Sequence, residues 1–256
     1  MLEEIIPADF ADKVVVLTRR HELWRYTECL NLVAAHNLMS PRARNLLSTG
    51  LADKIASGTI GSRGHGGCKY IDEVEALTVE LAKRLFHVNH VEYRAMSGCM
   101  ANEIALYALT DFGDHVMAIS RKYTGHHSYG ESGFSGYRKL HISDIPFDEQ
   151  EMTIDLNLLS ETIERHKPTL LIMGTSIFLF PYPLREIRRI ADSVGSKILY
   201  DGAHVMGLIA GRRFQDPIAE GVDVLTGSTQ KTLPGPIGGL VLCNDDEIAE
   251  RIRSNA

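Results

Sequence analysis

Long apolar runs are missing from this sequence, cysteine is sparse, and neither sign of charge dominates. Each shortage removes a class of protein. No stretch reaches the roughly twenty apolar residues of a bilayer-crossing helix, and no signal-peptide pattern opens the chain, so neither a membrane span nor secretion is expected. The four cysteines, Cys29, Cys68, Cys99 and Cys243, lack C-x-x-C or zinc-ligand spacing. That argues against a disulfide framework or a metal site, and for the reducing cytoplasm. With 27 basic and 33 acidic residues the net charge is −6, which offers nucleic acid or an anionic membrane no electrostatic reason to bind. Internal repeats, low-complexity tracts and long linkers are absent too. What remains, 256 residues of which 44% are hydrophobic and 23% charged, is enough to bury one large core.

The patterning alternates short apolar runs with amphipathic helices. Residues 1–20 are broken by Pro7, Asp9 and Asp12, with Lys13–Thr18 a short apolar run, and a helix is expected over His21–Ala35 from Leu23, Trp24, Leu30, Leu32 and Val33. Gly58–Asp72 is glycine-dense and reads as a loop. Ile71, Val74, Leu77, Leu81 and Leu85 recur at helical spacing, predicting a helix over Tyr70–Phe86 whose leucines are core. Strands are expected at His115–Ser120, Lys139–Ser143, Thr169–Met173 and up to Asp201, with helices at Leu156–His166 and Pro183–Ser193. Such a succession predicts an α/β fold, a mostly parallel sheet with helices on both faces and its site at the strand C-terminal ends.

Three segments carry chemistry. Asp223–Ser228 is an apolar run ending in small hydroxyl residues, followed by Lys231 and a turn through Pro234-Gly235-Pro236 into a second run at Gly239–Cys243. Thirty positions before Lys231, Lys197–Asp201 is another run, ending in an aspartate with His204 three residues on. A lysine and an aspartate delivered to one sheet edge suit pyridoxal phosphate, whose aldehyde needs an amine and whose pyridine nitrogen needs a carboxylate. Ser97-Gly98-Cys99 opens a helix; as a bare pattern it is either a helix cap or a seat for a phosphate.

The segments Asp201-Gly-Ala-His204 through Ala210 and Gly227-Ser-Thr-Gln-Lys231-Thr-Leu-Pro-Gly-Pro-Ile-Gly-Gly239 resemble the two most diagnostic segments of the serine hydroxymethyltransferases. These belong to the type I, aspartate-aminotransferase-like, pyridoxal-phosphate enzymes. The resemblance runs from about Glu22 to the end. It implies an N-terminal arm at 1–40 and a cofactor-binding large domain at 41–256, with the C-terminal small domain of the family absent from this chain. The chain stops in an amphipathic helix beginning at Asp245, where similar enzymes continue. Either a fragment or a separate C-terminal subunit is the expectation.

The resemblance also implies roles. Lys231 holds the cofactor and Asp201 pairs with its ring nitrogen. His126 stacks on the ring, and Ser97, Gly98 and Cys99 seat the phosphate. Thr175 or Ser176 lies near the ring oxygen, His204 near the ring oxygen or the substrate carboxylate, and Ser228 and Gly238 complete the cofactor-binding set. Departures are visible as well. His36 stands where the family has a glutamate that handles protons at the substrate hydroxyl and contacts tetrahydrofolate; Ile55 and His65 replace tyrosines of a loop that reaches a partner's site; Gln230 replaces a histidine, and Pro234 an arginine of many members. Histidine also does acid/base work, so His36 and His65 remain candidate catalytic residues. The activity implied is cleavage or formation of the Cα–Cβ bond of a β-hydroxy amino acid, in a homodimer acting on glycine, serine, threonine or a similar amino acid. Two alternatives stay open: a folate-independent aldolase or transaldolase, and a non-catalytic or half-site subunit.

Overall fold

The computed structural model describes residues 8–177 and 179–256. Pro7, read above as a break in the first segment, lies outside them. The chain divides into two units, Met1–His36 and Asn37–Ala256.

The first unit is built on helix α1, Ala8–Leu23, which runs into a π-helical turn, Trp24–Glu28. The helix therefore begins and ends earlier than the sequence pattern suggests. From Pro7 to Cys29 no further proline and no glycine interrupts the chain, so Val14–Leu17 rides on a helix instead of forming an extended run. Beyond Glu28 the backbone is extended at Cys29, and Asn31 Oδ1 accepts the Val33 N–H, a local turn that competes with helix. No described residue of this unit is buried; Val14, Leu17 and Leu30 are all exposed.

The second unit opens with a short helix α2, Pro41–Leu46, capped by Ser40 Oγ on the Ala43 N–H. The glycine-dense stretch is not loop throughout. It contains a two-residue hairpin, β1 Gly58–Thr59 with β2 Ser62–Arg63. Arg63 staples it down: its guanidinium donates to the Ala56 and Gly58 carbonyls at 2.7 and 3.0 Å and pairs with Asp72 and Glu75 of helix α3, Lys69–Phe86.

The remaining elements are β3 His90–Glu92, α4 Gly98–Leu109, β4 His115–Ala118, α5 Phe134–Tyr137, β5 His141–Asp144, the hairpin β6 Phe147–Asp148 and β7 Thr153–Ile154, α6 Leu156–His166, β8 Leu170–Met173, α7 Leu184–Asp192, β9 Lys197–Asp201, α8 Met206–Ala210, β10 Val224–Ser228, β11 Gly239–Cys243 and α9 Asp246–Asn255. Seven strands form one sheet in the order β3-β11-β10-β9-β8-β4-β5. The five from β10 to β5 are mutually parallel, and only β11 runs against its neighbours. This is the mixed α/β sheet that the strand and helix succession predicts.

Alternation along the strands makes two cores, one per face. Leu171, Met173, Ile198, Tyr200 and Leu225 pack on one side with Leu159 and Ile163 of α6 and Ile187 of α7. Leu170, Ile172, Leu199 and Val224 pack on the other with Ile104, Ala105 and Leu106 of α4 and Ile252 of α9. One expectation about the core is overturned. Val74, Leu77, Leu81 and Leu85 of α3 are 52, 56, 63 and 44% exposed, while the helix buries Ala82 and Phe86. Helical spacing shows that an apolar stripe exists, not what covers it.

Candidate active site

Parallel β9 and β10 end side by side, with Asp201 paired in register to Thr226. Asp201 closes β9, and Lys231 follows the end of β10 by three residues, so both reach the C-terminal edge of the sheet. The loop bearing Lys231 is tied at both ends. The Thr229 N–H donates to the Gly238 carbonyl at 3.1 Å and the Gly235 N–H to the Thr229 carbonyl at 2.6 Å. Thr232 Oγ1 accepts from the Gly207 N–H and donates to the His204 carbonyl, both at 3.1 Å. The lysine thus stands on a fixed base.

Asp201 is 8% exposed and accepts three hydrogen bonds. Asn102 Nδ2 donates to its Oδ2 at 2.8 Å, Tyr129 Oη to the same oxygen at 3.1 Å, and the Ala203 N–H to Oδ1 at 3.0 Å. Asn102 is held in turn by Thr226, whose hydroxyl donates to its Oδ1 at 2.6 Å. In all three contacts the carboxyl group is the acceptor, the pattern of a carboxylate anion.

Helix α4 brings its N-terminus to the same edge. Ser97 is its N-cap, with Oγ accepting from the Met100 N–H at 3.1 Å. The N–H groups of Gly98 and Cys99 precede any intrahelical acceptor, so this terminus is suited to an anion. Its close seating depends on two glycines. A Cβ on Gly98 would lie 2.9 Å from Ser228 Cβ, and one on Gly239 would lie 2.3 Å from the Ser97 carbonyl oxygen. Ser228, nearly fully buried, donates to the Ala203 carbonyl at 3.3 Å.

Asp201 lies near enough to Lys231, Cys99, His126 and His204 to act on the ionisation of each. Burial draws the Lys231 ammonium below its ordinary value, opposed by the negative charge of Asp201. Burial likewise lowers His126 and His204, with Asp201 opposing in both cases and Lys231 adding to the lowering. The Cys99 thiol is pushed up by burial, opposed by a hydrogen bond with Ser128. His126 Nδ1 lies 2.7 Å from Ser128 Oγ and accepts the Ser128 N–H at 3.3 Å. A neutral ring accepting at Nδ1 carries its hydrogen on Nε2. Gln230, adjacent to Lys231, keeps its Oε1 buried without a hydrogen-bond partner among the described residues.

The other sequence-derived candidates are placed as follows. Thr175 donates its hydroxyl to the Ile177 carbonyl at 2.8 Å, while the half-buried Ser176 donates its N–H to the Thr124 carbonyl at 2.9 Å. Gly238 lies in the base of the lysine loop. His65 is exposed, and its contacts are local: Nδ1 is 3.0 Å from the Gly66 carbonyl and 3.7 Å from Cys68 Sγ. His36 belongs to the first unit, where Arg25 donates to its Nδ1 at 2.9 Å. Sequence reading missed Asn102, Tyr129 and Thr226. Asn102 left one trace, a lone amide at the start of a largely apolar helix, Gly98–Leu109. Tyr129 and Thr226 left none that local patterning could separate from loop and strand.

A parallel sheet presenting a half-buried lysine beside a hydrogen-bonded aspartate, with a helix N-terminus alongside, defines an α/β enzyme of the type I pyridoxal-phosphate class. The sequence profile of the serine hydroxymethyltransferase family matches residues 9–253, and the chain belongs to that family. It is 42% identical over 242 residues to the serine hydroxymethyltransferase of Methanothermobacter thermautotrophicus, covering 94% of this chain and 57% of that protein. With the enzyme of Methanopyrus kandleri it shares 44% identity over 233 residues, 91% of this chain and 54% of the relative. For Thermococcus onnurineus the figures are 39% over 243 residues, 94% and 57%. The chain therefore spans a little over half the length of the curated relatives it matches. Pyridoxal phosphate is the cofactor of the family. All four cysteines are free thiols, and among the described residues no helix is long and apolar enough to cross a membrane.

Proposed function

We propose that this chain is the cofactor-binding part of a serine hydroxymethyltransferase that breaks or forms the Cα–Cβ bond of a β-hydroxy amino acid, interconverting serine and glycine with tetrahydrofolate as one-carbon carrier. The observation that carries the reading is the convergence of Lys231 and Asp201 at the C-terminal ends of two adjacent parallel strands. The residues fit pyridoxal phosphate. Asp201 has three of its roughly four acceptor positions filled by Asn102, Tyr129 and Ala203, leaving one on Oδ1 for a ring N–H. The buried, unpaired Oε1 of Gln230 is a second open acceptor beside Lys231.

When bound, pyridoxal phosphate supplies an electron sink for a bond breaking at the substrate Cα. The rest falls to the chain. Lys231, its ammonium destabilised by burial, offers an amine that loses its proton more readily than an exposed lysine. Asp201 would hold the ring nitrogen, Ser97 with the N–H groups of Gly98 and Cys99 would hold the phosphate, and His126, neutral and capped on Ser128, would face the ring. His204 is carried three residues past Asp201 and fixed through its carbonyl to Thr232.

A homodimer in the cytoplasm is part of this proposal. The bare apolar stripe of α3 and the exposed apolar residues of α1 support a partner, and the four free thiols support a reducing compartment. The carboxylate clamp for the substrate would come from the portion of the relatives that lies beyond the matched residues, whether in this polypeptide or in a separate C-terminal subunit.

The test is the absorbance spectrum of the purified chain with pyridoxal phosphate, before and after glycine. A visible band abolished by Lys231→Ala and shifted to the red by glycine is expected. A band that survives Lys231→Ala would remove Lys231 from its role and the reading with it.

A further inference from the structure

We propose that Tyr129 is a positioning residue for the cofactor-facing carboxylate: with Asn102 it occupies Oδ2 of Asp201, so that Oδ1 alone is left to receive the pyridine N–H. The inference rests on the pyridoxal-phosphate reading above and deepens it.

A carboxylate offers about four acceptor positions and rotates freely unless its oxygens are made unequal. Here they are unequal. Oδ2 takes two donors, Asn102 Nδ2 at 2.8 Å and Tyr129 Oη at 3.1 Å, whereas Oδ1 takes only the Ala203 N–H at 3.0 Å. The phenol comes from the short 3₁₀ turn His127–Tyr129, which His126 itself caps. Its ring lies edge-on to His126 with centroids 6.2 Å apart. One turn therefore sets both the imidazole that faces the cofactor ring and the hydroxyl that orients the carboxylate behind it.

Tyr129 is 3% exposed, so its hydroxyl has no bulk water to turn to. Burial and Asp201 also hold the phenol well above its ordinary value, which keeps it a neutral donor across the working range of pH. The proton stays on the phenol, and the hydrogen bond keeps one direction. Without it, Oδ2 has a vacant acceptor position that competes with Oδ1 for the ring nitrogen.

Tyr129→Phe removes the hydroxyl and leaves the ring packing. The full chain is titrated with pyridoxal phosphate and with its carbocyclic analogue, in which CH replaces the ring nitrogen, by isothermal titration calorimetry, with circular dichroism confirming the fold. Tyr129→Phe is expected to weaken pyridoxal phosphate binding about tenfold and to leave the analogue within about twofold, the size of one hydrogen bond to a charged acceptor. Tyr129→His, which returns an N–H donor, recovers part of that difference. If both ligands respond alike to Tyr129→Phe, or if the histidine variant is no better than phenylalanine, the phenol only packs and the inference is overturned. If the unsubstituted chain binds neither ligand, the cofactor reading itself fails and takes the inference with it.

Discussion

Asn102→Ala tests whether the buried network behind the site is one unit. Asn102 is 2% exposed and joins three elements: its own helix α4, Asp201 on β9 and Thr226 on β10. Truncation deletes a 2.8 Å hydrogen bond to a carboxylate and strands the Thr226 hydroxyl, which is fully buried. The first loss costs about 1.5–3 kcal/mol and the second about 1–3 kcal/mol. Thr226 recovers a little by turning to the Tyr200 carbonyl at 3.5 Å, and alanine is the better helix former by roughly 0.6 kcal/mol. A net loss of about 3 kcal/mol follows. Equilibrium urea unfolding measures it, read by far-UV circular dichroism, because the single tryptophan, Trp24, lies in the first unit and reports on the wrong part of the chain. With a slope of about 3 kcal/mol per molar, the midpoint drops by about 1 M. In a Thr226→Val background no hydroxyl is left to strand, so the same substitution costs about 1–2 kcal/mol less. A loss under about 1 kcal/mol, or strict additivity of the two changes, refutes the network.

Two further outcomes follow from the geometry. In the cofactor-free chain, Lys231→Met should raise stability near neutral pH. The folded-state value of Lys231 is depressed below 10.5, so the unfolded chain binds the extra proton. The penalty is complete below the depressed value and disappears as pH rises from it toward 10.5, so the advantage of methionine should shrink over that window. Unfolding midpoints at about pH 7 and about pH 10 decide it, and a methionine variant less stable at both contradicts the burial argument. Separately, Gly239→Ala places a Cβ 2.3 Å from the Ser97 carbonyl oxygen, whereas Gly50→Ala meets nothing within 4 Å. The first should cost about 1–3 kcal/mol by overpacking backbone against backbone and the second almost nothing. Equal melting temperatures for the two variants would show that α4 is not seated against β11 as described.

Periodicity and turn chemistry determined the parts of this protein that are local. The individual strands, the helices at 156–166 and 70–86, the strand ends bearing Asp201 and Lys231, and the helix opening at Ser97 were all legible, because each rests on neighbours within one turn or one strand. The family was legible for the same reason, its diagnostic segments being continuous stretches. Tertiary structure decided the rest. Tyr129 and Asn102 meet Asp201 from 72 and 99 positions away, Thr226 meets Asn102 across 124, and no local pattern encodes a hydrogen bond across such distances. Arg63 illustrates the point from the other side: its guanidinium is engaged by Asp72, Glu75 and two carbonyls that only the folded hairpin brings together. The leucines of α3 mark the boundary between the two kinds of information. Their spacing determined a helix with an apolar face, while their burial depended on which surface lay opposite, and Val74, Leu77, Leu81 and Leu85 are exposed among the described residues.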